Sequence, residues 1–577
     1  MHNIVFFPGD NHIEYCLLLA KRLAQYGANI TFMVYTDMAE RKCRENGIQY
    51  VCINSYFDDY FKIRDRINHW WKKNETIVPR QLMYDGYNVW DLCAYERAVD
   101  NDKDAQGNLE AHLKRTAESI EVFYQIIAYL EPHIFIAWNG MCLPMTAFAQ
   151  VAKNAGIEVY YAERGFFPRT LVLDKNGINF GSTPAQQWHT ISPALSFEGA
   201  DEEKTRHYFS DLHRHAESIA GSTQKITPDQ LRSQFNIPPG VKIVLYVAQI
   251  DTDTNIVFYS PAYKSNKELI VKLNKFILEQ KDAFLLVKLH PEDVNRSTEF
   301  QDLLTGNAAL VGDINIQSLL QMVDVVIVRN STVGLEALTY HRPVVVLGQA
   351  IYSHKGLTCD AVNDRELKDT IAALLSHHSA SESTHRAIDR FLFYLLKYYL
   401  YFIDEEEVFR GSNRRIEKSI VDSVNPSQNK GRYLNYNRRY SFYEMMQQRL
   451  MKKFFSSNCA LQKADRATKN KKILFIIYNT TMPYAVLLEQ LAVQCDPCTV
   501  TILGNEYLKT ENLKYNKFYI FNFYNLVRCF FRPYDLLVFS SAPFLKLTVL
   551  IYLWLSRAKK KMLLTPFNIS QFFFKQA

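Results

Sequence analysis

Three apolar runs between Val287 and Asp360 each stop abruptly at polar residues. The first run stops at Lys288 and His290, the second at Asn330, Ser331 and Thr332, and the third at Tyr352 and His354. Runs of this kind are typical of buried parallel strands, whose carboxyl ends carry functional residues. The pattern therefore predicts an α/β fold with a binding site at one edge of a parallel sheet.

The residues that end the first two runs favour a phosphate site. Lys288 and His290 are two residues apart, which places both on one face of a strand. Ser331 and Thr332 begin a helical stretch, where free N–H groups and hydroxyls can bind an anion. We therefore expect these four side chains to converge on one phosphate. Glu336 lies about one helical turn further on, and we expect it to reach a ribose hydroxyl.

Two acidic segments follow other predicted strands. Glu163 lies at the end of one strand beside Arg164, and a carboxylate there can act as a general base toward an acceptor hydroxyl. A structural Glu–Arg pair is the alternative interpretation of these two residues. The second segment, Gln249–Asn255, reads Q-I-D-T-D-T-N and follows a buried strand.

This second segment has three interpretations. A D-x-D pair such as Asp251 and Asp253 can hold a metal-bound diphosphate. One of the two aspartates can instead attack a sugar, with Glu163 as its partner carboxylate, which is the logic of retention at an anomeric carbon. Capping of a loop by aspartate is the purely structural alternative.

The chain of 577 residues is too long for one core, and strands and helices alternate along it. This alternation predicts two Rossmann-like domains facing a cleft, a GT-B-like arrangement, at residues 1–185 and 186–409. A helical stretch at 384–409 is expected to close the second domain. A basic linker at 410–470 precedes a partial Rossmann-like α/β module at 471–577.

The charge and the cysteines bear on location and partners. A net charge of +7 is modest for this length and does not require nucleic acid as a partner. The basic tract, close to aromatic sequence, favours contact with an anionic membrane surface, with a solvated linker as the alternative. Scattered cysteines and a start without a secretory signal predict a cytoplasmic protein. The apolar stretch at 536–556 fits a β-α-β pattern better than a membrane span.

Five motifs occur in a fixed order along roughly residues 1–400. They are A-E-R-G-F-F-P-R-T-L-V-L-D-K-N-G-I-N, Q-I-D-T-D-T-N-I, K-L-H-P, N-S-T-V-G-L-E-A-L and G-Q-A-I-Y-S-H-K-G-L-T-C-D. Together they resemble the bacterial capsule-polysaccharide biosynthesis family, the retaining β-Kdo transferases that build capsule linkers and cap some O-antigens. The resemblance implies CMP-Kdo as donor, no metal or other cofactor, and a covalent Kdo–Asp intermediate.

The resemblance also implies roles for individual residues. Asp253 matches the nucleophile of the family, and Asp251 stays an alternative because Thr252 stands where the family often has Asp. Glu163 matches the strand-end glutamate of the family. The residues expected to bind substrate are Arg164, Gln249, Lys288, His290, Asn330, Ser331, Thr332, Glu336 and Tyr352. The first domain is then the acceptor side, and the second binds the CMP-sugar. Relatives in which this module is fused to further glycosyltransferases imply that 471–577 is a truncated second glycosyltransferase.

The function expected from these observations is transfer of Kdo to a lipid-linked glycan of a capsule or lipopolysaccharide O-antigen. The enzyme would be peripheral on the cytoplasmic face of the inner membrane. Three alternatives remain at this point: a transferase for another CMP-activated ulosonic acid such as sialic acid, a non-catalytic scaffold of a polysaccharide assembly complex, and a metal-dependent nucleotide-sugar transferase.

Overall fold

The structure is a computed structural model that describes residues 2–53, 63–100, 105–215, 225–263, 265–280, 282–376, 381–404 and 406–424, and five further strands between 472 and 564. The strands are β1 (Asn3–Phe7), β2 (Asn29–Val34), β3 (Gln49–Cys52), β4 (Met83–Tyr84), β5 (Tyr87–Asn88), β6 (Ile134–Trp138), β7 (Glu158–Arg164), β8 (Thr170–Asp174), β9 (Lys242–Val247), β10 (Ala283–Lys288), β11 (Ala308–Val311), β12 (Val325–Val328), β13 (Val344–Val346), β14 (Cys359–Asp360), β15 (Leu400–Phe402), β16 (Lys472–Ile477), β17 (Thr499–Gly504), β18 (Lys517–Ile520), β19 (Leu536–Ser540) and β20 (Lys560–Leu564).

The α-helices of the described part are named here by their ranges. They are Ile13–Gln25, Asp37–Glu45, Ile63–Asn74, Val89–Leu92, Ala94–Val99, Ala105–Leu130, Met145–Asn154, Thr183–Gln186, Trp188–Ala194, Ala200–His215, Pro228–Gln234, Thr254–Tyr259, Asn266–Leu278, Ser297–Gln301, Ile316–Met322, Thr332–Thr339, Asp364–Ser376, Glu382–Tyr394 and Ser412–Asp422. None of these helices is both long and apolar enough to cross a membrane.

The first large sheet has seven strands in the order β15-β8-β7-β6-β1-β2-β3. Strands β3, β2, β1, β6 and β7 are parallel, whereas β8 and β15 are antiparallel additions at one edge. Every residue of β6 is buried, as expected for a strand covered on both faces. The direction of strand addition reverses between β1 and β6, and the crevice at the carboxyl ends of two such strands is where α/β sheets bind ligands.

The second large sheet has six parallel strands in the order β11-β10-β9-β12-β13-β14. When the six strands are numbered 1 to 6 by their order in the chain, they lie side by side in the order 3-2-1-4-5-6, which is the Rossmann order. The reversal of strand addition here lies between β9 and β12. The two parallel α/β domains expected from the sequence are therefore confirmed in their fold, while their exact boundaries stay a prediction.

A third sheet, of five parallel strands, has the order β18-β17-β16-β19-β20. This is the parallel strand pattern expected for the module at 471–577. Of the basic linker predicted at 410–470, the part after residue 424 lies outside the described residues. The connections between the five strands, and the part of the apolar stretch that follows β19, also lie outside them.

The two large domains share a packed interface. The helix Ala94–Val99 of the first domain packs against the helix Thr254–Tyr259 of the second. Phe166 and Phe167, from the loop between β7 and β8, are buried in the same hydrophobic cluster as the inner face of the second sheet. The carboxyl edges of the two sheets are thereby brought together.

The chain returns to the first domain after the second is complete. The helix predicted over 384–409 is wrong beyond Tyr394, because a π-helical turn at Leu395–Tyr399 is followed by β15, which joins the first sheet. All three residues of β15 are buried there, so their apolar character serves a sheet edge rather than a helix. The helix Ser412–Asp422 then packs against Ile13–Gln25.

Candidate functional site

Glu163 lies near the carboxyl end of β7, where the first domain meets the second. Its Oε1 accepts a hydrogen bond of 2.9 Å from the backbone N–H of Arg164, and its Oε2 accepts one of 3.2 Å from Nδ2 of Asn139. Burial raises the pKa of Glu163, and the negative charge of Asp253 raises it further. The two hydrogen bonds lower the pKa and so oppose this rise. Asp253 follows a strand of the second sheet, so a carboxylate of the other domain contributes to the electrostatics of Glu163.

Asn139, which directly follows β6, connects the two domains at this point. Its Nδ2 donates both to Glu163 and, at 3.3 Å, to Oγ1 of Thr254. Its Oδ1 accepts from the backbone N–H of Met141 at 3.0 Å, so the amide has to turn its Nδ2 toward the two oxygens. Asn139 has a φ of 59°, a left-handed conformation that asparagine tolerates better than most residues.

The following glycine is required by the same turn. Gly140 has a φ of 78°, and a Cβ at this position would lie 2.3 Å from the ring of Tyr161. The Asn-Gly dipeptide after a predicted strand is a turn signal in the sequence. That signal predicts the turn, but it does not predict that the asparagine amide reaches the neighbouring domain.

Asp253 is exposed and lies at the start of the helix Thr254–Tyr259. Its Oδ1 accepts a hydrogen bond of 2.7 Å from the backbone N–H of Asn255, so the residue does serve as a helix cap. No ion pair with another described residue involves this carboxylate. Tyr95 of the first domain donates to the carbonyl of Thr252 at 2.8 Å, which fixes the segment just before it.

Asp251 has a different environment two residues earlier. Its Oδ1 lies 2.8 Å from Nη1 of Arg329, and its carboxylate also accepts from the backbone N–H of Asn266 at 3.0 Å. Arg329 is only 1% exposed and donates further to Ser260 and to the carbonyl of Tyr263. Burial raises the pKa of Asp251 and the Arg329 guanidinium opposes that rise. The carboxylate neutralises a buried arginine, which the sequence analysis did not foresee.

Gln249 and Asn330 follow β9 and β12, at the point where strand addition reverses. The Gln249 side chain donates to Oδ1 of Asn330 at 3.1 Å and accepts from the Asn330 backbone N–H at 3.0 Å. Asn330 Nδ2 donates to the carbonyl of Asn255 at 2.9 Å. These contacts hold the segment that carries Asp253 against the end of β12. Substrate binding by Gln249 and Asn330 stays a prediction.

Lys288 and His290 both lie at the carboxyl end of β10. Lys288 Nζ donates to the carbonyl of Ile314 at 2.8 Å, and burial lowers its pKa. His290 Nδ1 accepts from the backbone N–H of Glu292 at 3.3 Å. A neutral imidazole with an accepting Nδ1 carries its proton on Nε2. The geometry thus leaves the His290 Nε2–H as a donor toward a ligand, whereas the Lys288 ammonium already has backbone partners.

Ser331 and Thr332 begin the helix Thr332–Thr339, as the sequence predicts. Ser331 is the N-cap, and its side chain accepts from the backbone N–H of Val333 at 3.2 Å. Thr332 is exposed. Tyr352 is 1% exposed and donates its hydroxyl to the Ser331 carbonyl, so it supports the helix start from behind. A Cβ on Gly334 would lie 2.2 Å from the Tyr352 oxygen, which explains the glycine in the N-S-T-V-G motif.

Glu336 is buried on the inner side of the same helix. Burial raises its pKa to about 7, and a hydrogen bond from Gln317 Nε2 opposes that rise. Gln317 accepts in turn from the Tyr340 hydroxyl at 2.8 Å. The contact of Glu336 with a ribose hydroxyl stays a prediction.

The carboxyl ends of β1 and β6 carry an aromatic pair that the sequence analysis missed. The rings of His12 and Trp138 are stacked with centroids 4.3 Å apart. Burial lowers the pKa of His12 to about 4, and the charge of the exposed Arg164 contributes to this. The pair lies at the reversal point of the first sheet and is near Arg164, next to Glu163. Only the P-G-D-N-H loop after the first strand signalled it in the sequence.

In the described ranges, no three or more His, Cys, Asp and Glu side chains are grouped so that they could hold a metal ion. The D-x-D pair itself is divided between an ion pair with an arginine and a helix cap.

Comparison with known proteins identifies relatives of part of the chain. Residues 202–394 match the family described as capsule polysaccharide biosynthesis protein. The lipopolysaccharide-processing protein LpsZ of Rhizobium meliloti is 29% identical over 248 residues, which are 40% of this chain and 54% of LpsZ. Protein FixF of Sinorhizobium fredii (strain NBRC 101917 / NGR234) is 25% identical over 247 residues, again 40% and 54% of the two chains.

Solved structures are also similar to this chain. The β-Kdo 2,7 transferase KpsC of Thermosulfurimonas dismutans aligns with 52% of this chain and 89% of its own at 19% identity and a TM-score of 0.33. The chain spans about half the length of the curated relatives it matches. The region at 202–394 that matches the capsule polysaccharide biosynthesis model contains Asp253, His290 and Ser331.

Proposed function

We propose that this protein is a retaining glycosyltransferase that moves Kdo from CMP-Kdo to a hydroxyl of a lipid-linked surface glycan. The observation that carries the proposal is that one amide joins the two segments that carry Glu163 and Asp253, which come from different domains. Glu163 and Asp253 lie at the carboxyl edges of the two large sheets, and the Asn139 amide bonds both Glu163 and Thr254, the residue after Asp253. A carboxylate pair of this kind matches double displacement at an anomeric carbon.

Asp253 is the proposed nucleophile. It attacks the anomeric carbon of Kdo while the bond to the CMP phosphate oxygen breaks and CMP leaves with the electron pair. Its exposure and its lack of a cationic partner among the described residues support this role. Asp251 is the weaker candidate, because attack by its carboxylate would remove the counter-charge of the buried Arg329.

Glu163 is the proposed general base. In the second displacement the acceptor hydroxyl attacks the anomeric carbon, Glu163 takes its proton, and the bond to Asp253 breaks. A base has to be ionised to act, and a raised pKa makes a carboxylate a stronger base. Burial supplies that increase, while the hydrogen bonds from Asn139 and Arg164 keep the ionised form accessible.

The CMP phosphate is assigned to the carboxyl ends of β10 and β12. The His290 Nε2–H, the exposed Thr332 hydroxyl and the N-terminus of the helix Thr332–Thr339 are the groups available there. The positive charge of Lys288 contributes to the field at this edge, although its ammonium bonds backbone carbonyls. This binding mode requires no metal or other cofactor.

Similarity supports the polysaccharide class of the reaction. The family that matches residues 202–394 is described by capsule polysaccharide biosynthesis, and LpsZ is described as lipopolysaccharide-processing. The choice of Kdo and the retention of configuration rest on the sequence motifs and on the carboxylate pair. A peripheral position on the inner face of the inner membrane, where lipid-linked glycans are assembled, fits this substrate.

The test is a donor screen with the full chain, a lipid-linked or soluble glycan acceptor, and either CMP-Kdo or CMP-sialic acid. We expect release of CMP and glycan elongation with CMP-Kdo, unchanged by EDTA, and a β linkage in the product. Turnover of CMP-sialic acid alone would change the donor within the same mechanism. Activity that EDTA abolishes would favour a metal-dependent transferase, and absence of turnover with either donor would favour a scaffold.

A further inference from the structure

The first domain carries a cluster of exposed apolar side chains on one surface, formed by residues 70–84 and called here the 70–84 surface. Ile77, Val78 and Met83 are 40%, 57% and 48% exposed, although isoleucine, valine and methionine are usually buried. Exposed apolar groups that are scattered singly need no explanation, but three within seven residues form a patch.

Contacts with the core of the first domain fix the backbone on which these exposed side chains lie. Leu82, between the exposed residues, is 1% exposed and belongs to the core of the first domain. Tyr84 donates its hydroxyl to Glu121 at 2.7 Å, and Trp70 donates its indole N–H to the carbonyl of Met83 at 3.2 Å. The end of the helix Ile63–Asn74 and the β4–β5 hairpin are therefore joined, and their outward side chains form one surface.

Basic residues precede and interrupt these apolar residues along the chain. Lys72, Lys73 and Arg80 are all exposed, and none forms an ion pair with another residue of the described ranges. Glu75 is the one acidic residue between positions 72 and 83. Unpaired cations next to protruding apolar groups are complementary to a surface that has anionic groups above a hydrocarbon layer.

We propose that the 70–84 surface binds an anionic lipid bilayer. The apolar side chains enter the boundary between headgroups and acyl chains, and the three cations remain at the level of the lipid phosphates. Trp70 and Trp71, on the adjoining helix, are half-buried, and indole rings are favoured at membrane–water interfaces. A second copy of this chain is a poorer partner, because a two-fold contact would place like charges opposite one another.

The same surface is structurally linked to the candidate site. Arg80 and Arg97 both lie over the ring of Trp90, at 5.7 and 3.6 Å from its centroid. Arg97 belongs to the helix Ala94–Val99, which also carries Tyr95, the partner of the Thr252 carbonyl near Asp253. The 70–84 surface is part of the domain that is proposed to receive the acceptor, so a membrane bound at this surface would lie against that domain.

Vesicle sedimentation with the full chain tests this inference without any sugar donor, so its outcome is independent of the proposed reaction. The probe is phosphatidylcholine vesicles with and without phosphatidylglycerol. We expect binding to the anionic vesicles only. The double variant Lys72→Gln/Lys73→Gln should reduce the partition coefficient about 25-fold, roughly fivefold for each cation removed.

The apolar contribution is tested by Val78→Asp, with Val271→Asp as matched control. Val271 is 48% exposed on the helix Asn266–Leu278 of the second domain. We expect Val78→Asp to reduce vesicle binding at least tenfold and Val271→Asp to leave it unchanged. Circular dichroism checks that both variants are folded.

Three results would overturn the inference. Vesicle binding that is unaffected by all substitutions in the 70–84 surface would remove it. Binding that is lost only when Arg438 and Arg439 of the basic tract are neutralised would transfer the membrane contact to that tract. A dimer in solution that Val78→Asp dissociates, together with unchanged vesicle binding, would make the surface an interface between copies of this chain.

Discussion

The carboxyl edges of the two large sheets use polar residues in different ways. In the second sheet most strand-end side chains bond one another: Gln249 pairs with Asn330, and Asp251 pairs with Arg329. In the first sheet the strand-end Asn139 amide bonds Glu163 of the same edge and also reaches outward to Thr254 of the other domain. The second edge is thus largely a fixed frame, from which only a few groups remain free for a ligand.

This contrast separates residues that look equivalent in the sequence. Asp251 and Asp253 lie two positions apart in one motif, yet the first compensates a buried arginine and the second is exposed at a helix start. A position at a strand end therefore predicts where in the fold a residue lies. The hydrogen bonds and ion pairs of its side chain decide whether that residue is free to react.

The largest effect is expected for Glu163→Gln, which removes the base but preserves the shape of the side chain. We expect the transfer rate to fall by about a hundredfold to ten-thousandfold. The control is Glu158→Gln, at the opposite end of the same strand, where the carboxylate pairs with Lys175. Steady-state kinetics with CMP-Kdo measures both, and equal rates for the two variants would contradict a special role for Glu163.

The next largest effect is expected for Asp251→Ala, which tests the ion pair between Asp251 and Arg329. Removal of this carboxylate leaves the Arg329 guanidinium, 1% exposed, without its counter-charge. We expect the free energy of unfolding to fall by about 3 kcal/mol. Asp253→Asn should change stability by less than about 0.5 kcal/mol, because asparagine is an equally good N-cap. Urea denaturation compares them, and equal destabilisation would abolish the distinction between the two aspartates.

A smaller effect is expected for His290→Ala, which removes a donor that the frame leaves free. Loss of one charge-assisted contact to the CMP phosphate should weaken CMP binding by about tenfold to a hundredfold. Calorimetric titration with CMP measures the change. His207→Ala, on an exposed helix, is the control. If CMP affinity were the same in both variants, the phosphate site would have to lie elsewhere.

The smallest effect is a shift of the pH profile in Asn139→Gly, where glycine preserves the left-handed backbone. The amide stabilises the ionised form of Glu163, so its loss should raise the pKa of that carboxyl. A base is inactive below its pKa, and the acidic limb of the rate profile should therefore move to higher pH. Asn236→Gly, at another left-handed position, should not move it. An unshifted profile in Asn139→Gly would leave this residue only a structural role.

The sequence predicts the fold well because buried parallel strands leave apolar runs with sharp polar ends. It also predicts the region of the site, since Glu163, Asp253, His290 and Ser331 all lie at carboxyl edges of the two sheets. Sequence could not predict the contacts between distant segments. The pairing of Asp251 with Arg329 joins residues 78 positions apart, and the contact of Asn139 with Thr254 joins residues 115 positions apart.

The helix predicted at 384–409 failed for a related reason. Aromatic and leucine residues near position 400 fit a helix face and a sheet edge equally well by composition. Pairing of β15 with β8, over 200 residues earlier in the chain, decides the outcome. Local pattern could not contain that information.

The central claim, that Asp253 rather than Asp251 forms a bond to the donor sugar, is tested most directly by intact-protein mass spectrometry. The full chain is incubated with CMP-Kdo, without acceptor and in a parallel sample with acceptor, beside Asp253→Asn, Asp251→Asn and Glu163→Gln. We predict an adduct of one Kdo mass in the unaltered protein and in Asp251→Asn, more of it in Glu163→Gln when acceptor is present, and none in Asp253→Asn. An adduct that persists in Asp253→Asn but disappears in Asp251→Asn would contradict the claim, and an adduct in none of the proteins would contradict the covalent mechanism.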